Sequence, residues 1–424
     1  MDKLIVIGGN RLDGEVSVSG SKNAVLPIMT ATMIVPGNYK INNVPNLRDT
    51  QTMIKLLRII GAKVDYFDKT LIIDTIKCDN PSAPYELVKT MRASFYVLGP
   101  LLARFHYSKV SLPGGCAWGP RPVDFHIKAL REMNVKVRLD KGDIIAEGEP
   151  HGGDIIFKKK SVGATGNVLM ASVKATSETN IINAAKEPEI VALGDFLIKL
   201  GADIEGLGTD NIRVTPIKNE NNNFEFDVIP DRIEAGTFMI AAATVGGNIK
   251  IKNIDPSHLD AVIELLKGIN IDITINQNSL IIKSDGLYDA IDMETSEYPG
   301  FPTDLQAQWM AMMSKAKGDS IIKENIYNDR FTHIPELLRM GANIKLKNET
   351  AFIKGIEEIF PAPVMCTDIR ASAALVISAL ASKGESEISR IYHIDRGYEG
   401  IEQKFSKLGA NIKRVSKHLK YFVT

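Results

Sequence analysis

Cysteine is scarce in this chain: Cys78, Cys116 and Cys366 are scattered through 424 residues. An odd, widely spaced set builds no disulfide framework and matches no zinc-ligand spacing, so a reducing cytoplasm is the expected compartment. An excess of charge of one sign is also missing, since 51 Lys and Arg balance 51 Asp and Glu. Nucleic-acid binders carry a basic surplus, so that class is excluded and any anion site must be a local cluster in a neutral whole. No apolar run approaches the roughly 18 residues of a membrane span, and the apolar stretch at residues 4–7 is too short for a secretory leader. Small-molecule partners are therefore expected, with neither nucleic acid nor membrane. What is present, 44% hydrophobic and 24% charged residues, is ordinary globular composition and excludes disorder. The length points to two or three domains.

One signature recurs six times. A Leu/Ile-rich helical end meets a Gly or Asn and is followed by an alternating stretch with a turn. The pivots are Gly61, Asn134, Gly201, Asn270, Gly341 and Gly409, spaced by 67 to 73 residues. Gly and Asn tolerate the left-handed backbone that ends a helix, so each pivot reads as a helix terminus. The preceding helices are amphipathic, as in Met53, Leu56, Leu57 and Ile60. The following stretches read as hairpins, as at residues 63–74. Upstream in each unit lies a helix rich in small residues and then a strand, for example residues 235–245 with 248–251. The fold class is thus α/β, six repeats of a β-α-β-α-β-β unit, three to a domain. The polar run at residues 218–223 falls between the third and fourth pivots and reads as the domain boundary.

The chemistry-bearing residues gather in the loops before helices. Before the small-residue helices stand Ser21-Lys22-Asn23, Arg92, Ser161-Val162-Gly163, Asp231-Arg232, Asp304 and Asp368-Ile369-Arg370. Before the amphipathic helices stand Arg48-Asp49, the segment from Cys116 to Asp124, Lys186-Glu187, Asp255, Asp329-Arg330 and Asp395-Arg396. Helix N-termini carry unpaired N–H groups and a partial positive charge, so they bind anions. The plainer reading is that an Asp or Ser there caps its own helix. Lys22, Arg92, Arg121, Arg370 and Arg396 all read as lying beside such termini, and their recurrence points to an anion-lined cleft between two domains. Residues 14–22 lack phosphate-loop spacing, and Gly206-Leu207-Gly208 lacks the third glycine of a dinucleotide fingerprint. Cys116 stands in a Gly- and Pro-rich loop beside Arg121, where a thiol is exposed and reactive rather than packed. Cys78 and Cys366 read as buried small hydrophobes.

These motifs resemble the UDP-N-acetylglucosamine 1-carboxyvinyltransferase family of enolpyruvyl transferases over essentially the whole length. They are Gly20-Ser21-Lys22-Asn23-Ala24, Met91-Arg92-Ala93-Ser94, Gly114-Gly115-Cys116, Arg121-Pro122-Val123-Asp124, Ser161-Val162-Gly163, Tyr298-Pro299-Gly300-Phe301-Pro302-Thr303-Asp304, Asp368-Ile369-Arg370 and Asp395-Arg396-Gly397-Tyr398. The resemblance implies two inside-out α/β barrels of three repeats each, residues 22–229 forming one domain and residues 1–21 with 230–424 the other, with the site in the interdomain cleft. It implies transfer of enolpyruvyl from phosphoenolpyruvate to the 3′-hydroxyl of UDP-N-acetylglucosamine, with release of phosphate, at the start of peptidoglycan synthesis. By the same resemblance Lys22, Arg121 and Arg396 hold phosphoenolpyruvate, Cys116 protonates its vinyl carbon, and Asp304 takes the hydroxyl proton. Asn23, Arg92, Arg121, Pro122, Val123, Asp124, Phe125, Ser161, Val162, Gly163, Asp304 and Ile326 match sugar-nucleotide contacts, and Asp368 and Arg370 support the site. No metal or redox cofactor is implied. The sequence departs from the family's usual residues at Trp118, Pro120 and Gly166. Two rival readings are a sister enzyme acting on shikimate 3-phosphate, which normally lacks the loop cysteine, and a non-catalytic binder of sugar nucleotide, which need not keep a proton donor and a base.

Overall fold

The structure is a computed structural model and describes residues 2–112 and 123–416. The chain divides into two compact units: Gly20–Ile229, here the N-terminal unit, and Met1–Ser19 with Pro230–Thr424, the C-terminal unit. The first crossing therefore falls between Ser19 and Gly20 rather than beside Lys22. Short hydrogen bonds brace the chain on either side of it. Asp231 N donates to Ser19 O at 2.9 Å in one unit, and Ser21 N donates to Ile229 O at 2.7 Å in the other.

The polar run at residues 218–223 is not the boundary. It is an exposed connection inside the N-terminal unit, leading into the strand Asn223–Asp227. That strand returns to pair in parallel with Asn38–Asn42, from Asn223 opposite Asn38 to Asp227 opposite Asn42. Polarity marks solvent exposure, and an exposed loop within a domain carries it as readily as a linker does.

Each unit holds three four-stranded sheets with one strand order. A parallel pair comes first, and then two antiparallel strands, which form a hairpin with its second strand inside in five of the six sheets. In the N-terminal unit this is Gly153–Ile156 beside Thr179–Ile182, then Asn211–Thr215, then Asp203–Glu205. In the C-terminal unit the beginning of the chain fills two places. Lys3–Gly8 lies antiparallel between Gly384–Ser389 and Asn411–Val415, and Leu12–Ser17 lies parallel to Gly247–Lys252. The two halves thus use strands from distant ends of their segments to complete sheets, which commits both crossings of the chain.

The small-residue helices are buried on nearly every side. In Val162–Ser172 every residue from Ala164 to Ser172 is buried, and in Arg232–Val245 every residue from Ile233 to Thr244 is. A helix apolar all round belongs inside a core, and Ala and Gly let its neighbours approach closely. In the C-terminal unit Arg232–Val245, Gln306–Met313 and Ile369–Ala381 pack on one another. In the N-terminal unit Leu98–Phe105 packs on Val162–Ser172, and Lys22–Ala31 packs on Pro188–Leu200. Each unit has its own hydrophobic core.

All six pivots have positive φ, from 60° at Asn134 to 117° at Gly201. A second left-handed device recurs where strands end. Asn43, Asn183 and Asn253 have φ of 56° to 59°. Their side-chain amides donate to Val228 O, Phe157 O and Val18 O at 2.8, 2.9 and 2.7 Å. The short polar side chain tolerates the backbone and also satisfies a carbonyl at the end of the parallel neighbour.

At Gly201 a Cβ would stand 2.1 Å from Asn219 O, on top of a left-handed backbone. Gly201→Ala is expected to destabilise the N-terminal unit by more than the ~1–2 kcal/mol of left-handed strain alone. Asn270→Gly, where φ is 63°, is expected to be neutral or slightly stabilising. Urea midpoints measure both, and an unchanged midpoint for Gly201→Ala would refute the account of the pivots.

Candidate active site

In the C-terminal unit the short turn Thr303–Leu305 leads into the helix Gln306–Met313 and presents Asp304. Its carboxylate is held at both oxygens: Arg330 Nη2 donates to Oδ1 at 2.7 Å and Arg370 Nε donates to Oδ2 at 3.2 Å. The Asp304 side chain is 24% exposed, whereas those of Arg330 and Arg370 are 9% and 3% exposed. Two buried cations therefore aim at one carboxylate that keeps a face to solvent. Ionised pairs of this kind form the strong class of hydrogen bond.

Burial works against charge on both arginines, but their neighbours outweigh it. Arg330 is held charged by Asp304, Asp368 and Glu324, and Arg370 by Tyr398, Asp304 and Asp231. The Arg370 guanidinium lies 5.2 Å over the Tyr398 ring. The Tyr398 hydroxyl accepts from Gln308 Nε2 at 3.0 Å, and Gln308 Nε2 also donates to Asp304 O at 3.1 Å. Asp368 caps the helix Ile369–Ala381, its Oδ1 accepting from Arg370 N at 2.8 Å and Ala371 N at 3.0 Å. Burial raises the Asp368 pKa against the pull of Arg330. Asp368 Oδ2 and Arg370 Nη2 are buried without a hydrogen-bond partner among the described residues. Unmatched buried polarity is uncommon in folded proteins, and two such atoms belong to the residues flanking the Asp304 clasp.

The plainer reading of acidic residues at helix starts holds for Asp231, Asp255 and Asp368, each of which caps its own helix. Asp304 makes no such cap and spends its oxygens on arginines. Arg396 is the last residue of the turn Ile391–Arg396, not the first of the helix Ile401–Lys407, so it does not sit at a helix N-terminus. It is half-buried, and its charge adds to burial in lowering His393 to about 4. The adjacent Asp395 is bound by Arg414 through both oxygens, at 2.6 and 3.1 Å. Ile326 is half-buried, its N–H donating to Glu324 Oε1 at 2.9 Å.

In the N-terminal unit Lys22 opens the helix Lys22–Ala31, with Ser21 capping it through Ala24 N. Lys22 Nζ pairs with the buried Asp49 at 3.1 Å, and Asn23 follows it, half-buried. Asp49 lies in the first turn of Arg48–Ile60, so the pair joins two helix N-termini. Ser161 caps Val162–Ser172 in the same manner, through Ala164 N, which leaves Val162 and Gly163 in the first turn. Val123 precedes the helix Asp124–Glu132, Asp124 is exposed, and Phe125 packs half-buried on the core. Cys116, Arg121 and Pro122, with Trp118 and Pro120, lie outside the described residues. Gly166 is walled in, since a Cβ there would stand 2.8 Å from the Tyr96 ring and 3.4 Å from Leu193.

Sequence reasoning missed His126 as a connector. Asn167 Oδ1 accepts from Gly99 N at 2.8 Å, which fixes the amide orientation, so Nδ2 donates to His126 Nδ1 at 3.2 Å. The imidazole proton then sits on Nε2, on the side facing Gly163, whose Cβ would lie 3.2 Å away. Burial, with Arg92 adding to it, lowers His126 to about 3. Arg92 opens the turn Arg92–Val97, and Phe95 of that turn meets the imidazole edge-on at 4.9 Å. A neutral histidine thus joins three of the segments singled out from sequence. Arg330 was noted only as a charge before a helix. Its role depends on a tertiary pairing that spacing does not encode.

The comparisons with known proteins bear on fold and family. The EPSP synthase (3-phosphoshikimate 1-carboxyvinyltransferase) family pattern matches residues 6–405. The solved enolpyruvyl transferase NikO from Streptomyces tendae superimposes with a TM-score of 0.88 at 22% identity, covering 98% of this chain and 99% of that one. EPSP synthase from Acinetobacter baumannii gives 0.76 at 17% identity, covering 98% and 100%. Those identities carry the fold alone, an α/β enolpyruvyl-transferase architecture. The UDP-N-acetylglucosamine 1-carboxyvinyltransferase of Geotalea uraniireducens (strain Rf4) is 50% identical over 416 residues, 98% of this chain and all of that one. Its namesake in Acinetobacter baylyi is 47% identical over 419 residues, again 98% and 100%.

Among the described residues each unit buries a histidine held neutral, His126 in one and His333, lowered to about 3 by burial and Arg330, in the other, and the half-buried His393 of the C-terminal unit is lowered to about 4. Unfolded histidine titrates near 6.5, so below that pH the unfolded chain binds the extra proton. Stability is therefore full above about pH 6.5 and is lost as pH falls toward the folded values, by about 1.4 kcal/mol per pH unit for each fully buried histidine. Denaturant titrations at pH 7 and pH 5 should show this slope. His333→Leu should reduce it for the C-terminal unit, leaving the part due to His393, and an unaltered slope would remove His333 as a source.

Near-complete coverage at about half identity settles the grouping: the chain belongs to the UDP-N-acetylglucosamine 1-carboxyvinyltransferase family.

Proposed function

We propose that this protein transfers the enolpyruvyl group of phosphoenolpyruvate to the 3′-hydroxyl of UDP-N-acetylglucosamine, releasing phosphate, in peptidoglycan synthesis. The observation that carries the reading is the Asp304 carboxylate, clasped by Arg330 and Arg370 while one face stays open, in a chain of this family. Each half is read as an inside-out α/β barrel of three repeats. That reading is supported by three sheets of one strand order in each unit and by helices buried on all sides.

The reaction proceeds by addition and elimination. The sugar hydroxyl oxygen bonds to C2 of phosphoenolpyruvate and its proton passes to Asp304. The Cys116 thiol gives its proton to C3, which becomes a methyl group. The C2–O bond to phosphate then breaks as that methyl loses a proton, and the vinyl ether forms. Positioned proton donors and acceptors contribute about 10²–10⁴-fold each. Lys22, Arg121 and Arg396 hold the phosphate and carboxylate, and guanidinium matches both groups bidentately. Asn23, Arg92, Pro122, Val123, Asp124, Phe125, Ser161, Val162, Gly163 and Ile326 hold the sugar nucleotide, with Asp368 and Arg370 behind the base. Two arginines on one carboxylate fix the direction of both its oxygens.

Phosphate release from phosphoenolpyruvate should be fast with UDP-N-acetylglucosamine and negligible with shikimate 3-phosphate. The opposite preference would select the sister activity, and release with neither acceptor would leave a non-catalytic binder.

A second prediction concerns the three thiols. Cys78 and Cys366 are 5% and 0% exposed, and burial pushes their thiols up to about 11 and about 12. The thiolate is the nucleophile, so both are inert. A small epoxide phosphonate such as fosfomycin mimics the anionic end of phosphoenolpyruvate and should alkylate Cys116 alone, abolishing turnover. Peptide mass mapping decides, and label on Cys78 or Cys366 with Cys116 untouched would overturn the assignment.

A further inference from the structure

Glu324 lies behind the Asp304 cluster and contributes no group to the chemistry above. Its carboxylate is only 1% exposed. Oε1 accepts from Thr295 Oγ1 at 2.8 Å, Ile326 N at 2.9 Å and Tyr327 N at 3.0 Å. Oε2 accepts from Thr303 Oγ1 at 2.9 Å. Thr303 Oγ1 in turn accepts from Arg330 Nη1 at 2.9 Å, and the other terminal nitrogen of the same guanidinium donates to Asp304 Oδ1 at 2.7 Å.

The direction of every bond in this chain is forced. A guanidinium only donates and an ionised carboxylate only accepts, so the single Thr303 proton must point to Glu324 and its lone pair to Arg330. The planar guanidinium is thereby fixed at both terminal nitrogens, and its plane fixes one Asp304 oxygen. A surface loop would need none of this to fold. The same Oε1 atom orders the backbone at Ile326, so the loop read as touching the sugar nucleotide and the base share one buried anchor.

We propose that Glu324 and Thr303 are positioning residues that set the orientation of the Asp304 carboxylate through Arg330 and tie it to the Ile326 backbone; the proposal rests on the reading of Asp304 as the base. A general base must aim a lone pair at the hydroxyl proton, and a misplacement of about 1 Å at such a group lowers rates by about 10²-fold. Side chains held by a second layer of hydrogen bonds escape that loss.

The test compares Thr303→Val, which keeps the shape and removes the hydroxyl, with Thr303→Ser, which keeps the hydroxyl. Thr303→Val should lower kcat by roughly 10- to 100-fold, with KM for UDP-N-acetylglucosamine within about twofold, and Thr303→Ser should restore kcat to within about threefold of the native value. Glu324→Gln carries the same test should Thr303→Val prove insoluble. Its amide presents N–H groups to a hydroxyl that needs an acceptor, so the hydroxyl turns and Arg330 loses its partner. Asp304→Asn is the control for the underlying reading. Near-native turnover in Asp304→Asn sinks the base itself. An inactive Asp304→Asn alongside native kcat in Thr303→Val and Glu324→Gln overturns the positioning role alone, as does an equal loss in Thr303→Val and Thr303→Ser.

Discussion

Helices with no polar side force everything polar to their ends, and the rest of this structure follows from that constraint. Val162–Ser172, Arg232–Val245 and Ile369–Ala381 are buried along almost their full lengths. Their first-turn N–H groups still need acceptors, and inside a core only a capping side chain or a ligand can supply them. Ser21, Ser161, Asp231 and Asp368 meet that need. The charged residues beside them, Lys22 and Arg370 above all, gather where helix dipoles and unpaired N–H groups already favour anions. Sheet-covered helices thus leave their N-termini, within each unit, as the places where chemistry can be built.

At these helix ends the two units use opposite electrostatics. In the C-terminal unit, a carboxylate is fixed between two buried guanidiniums, with Asp368 and Glu324 adding charge that keeps Arg330 ionised and Tyr398 and Asp231 doing so for Arg370. In the N-terminal unit, the connector is neutral: His126 and Asn167 join the Arg92 turn, Gly99 and the Ser161 helix without a formal charge. The neutral joint adds no charge of its own beside Arg92, whereas Lys22 is held by the buried carboxylate of Asp49.

Much of this was legible in the sequence because it depends on local backbone demands. Six pivots at 67 to 73 residue spacing were readable since only Gly and Asn accept the left-handed backbone cheaply, and all six adopt it. Asp304 stood out as a motif residue, but its distinction from the capping Asp368 and Asp231 appears only when hydrogen-bond partners are seen. Arg330, Thr303 and Glu324 were opaque for the same reason. Their bonds join residues 21 to 27 positions apart across a sheet edge, and no local pattern records that. The polar run at residues 218–223 misled because composition reports exposure, and the true crossing at residues 229–230 is apolar on one side.

NikO and EPSP synthase share the architecture at 22% and 17% identity, and the fold by itself does not name an acceptor. A fold hosts many activities, and sites grafted on it decide among them. Among the described residues the candidate grafted parts are few, the Ser161 cap and the Thr303–Leu305 turn, and the turn depends on Glu324 through Thr303 for its geometry. An acceptor preference built this way is robust to drift in the core, where any well-packed small residue serves, and sensitive to single changes in the few side chains that orient the caps.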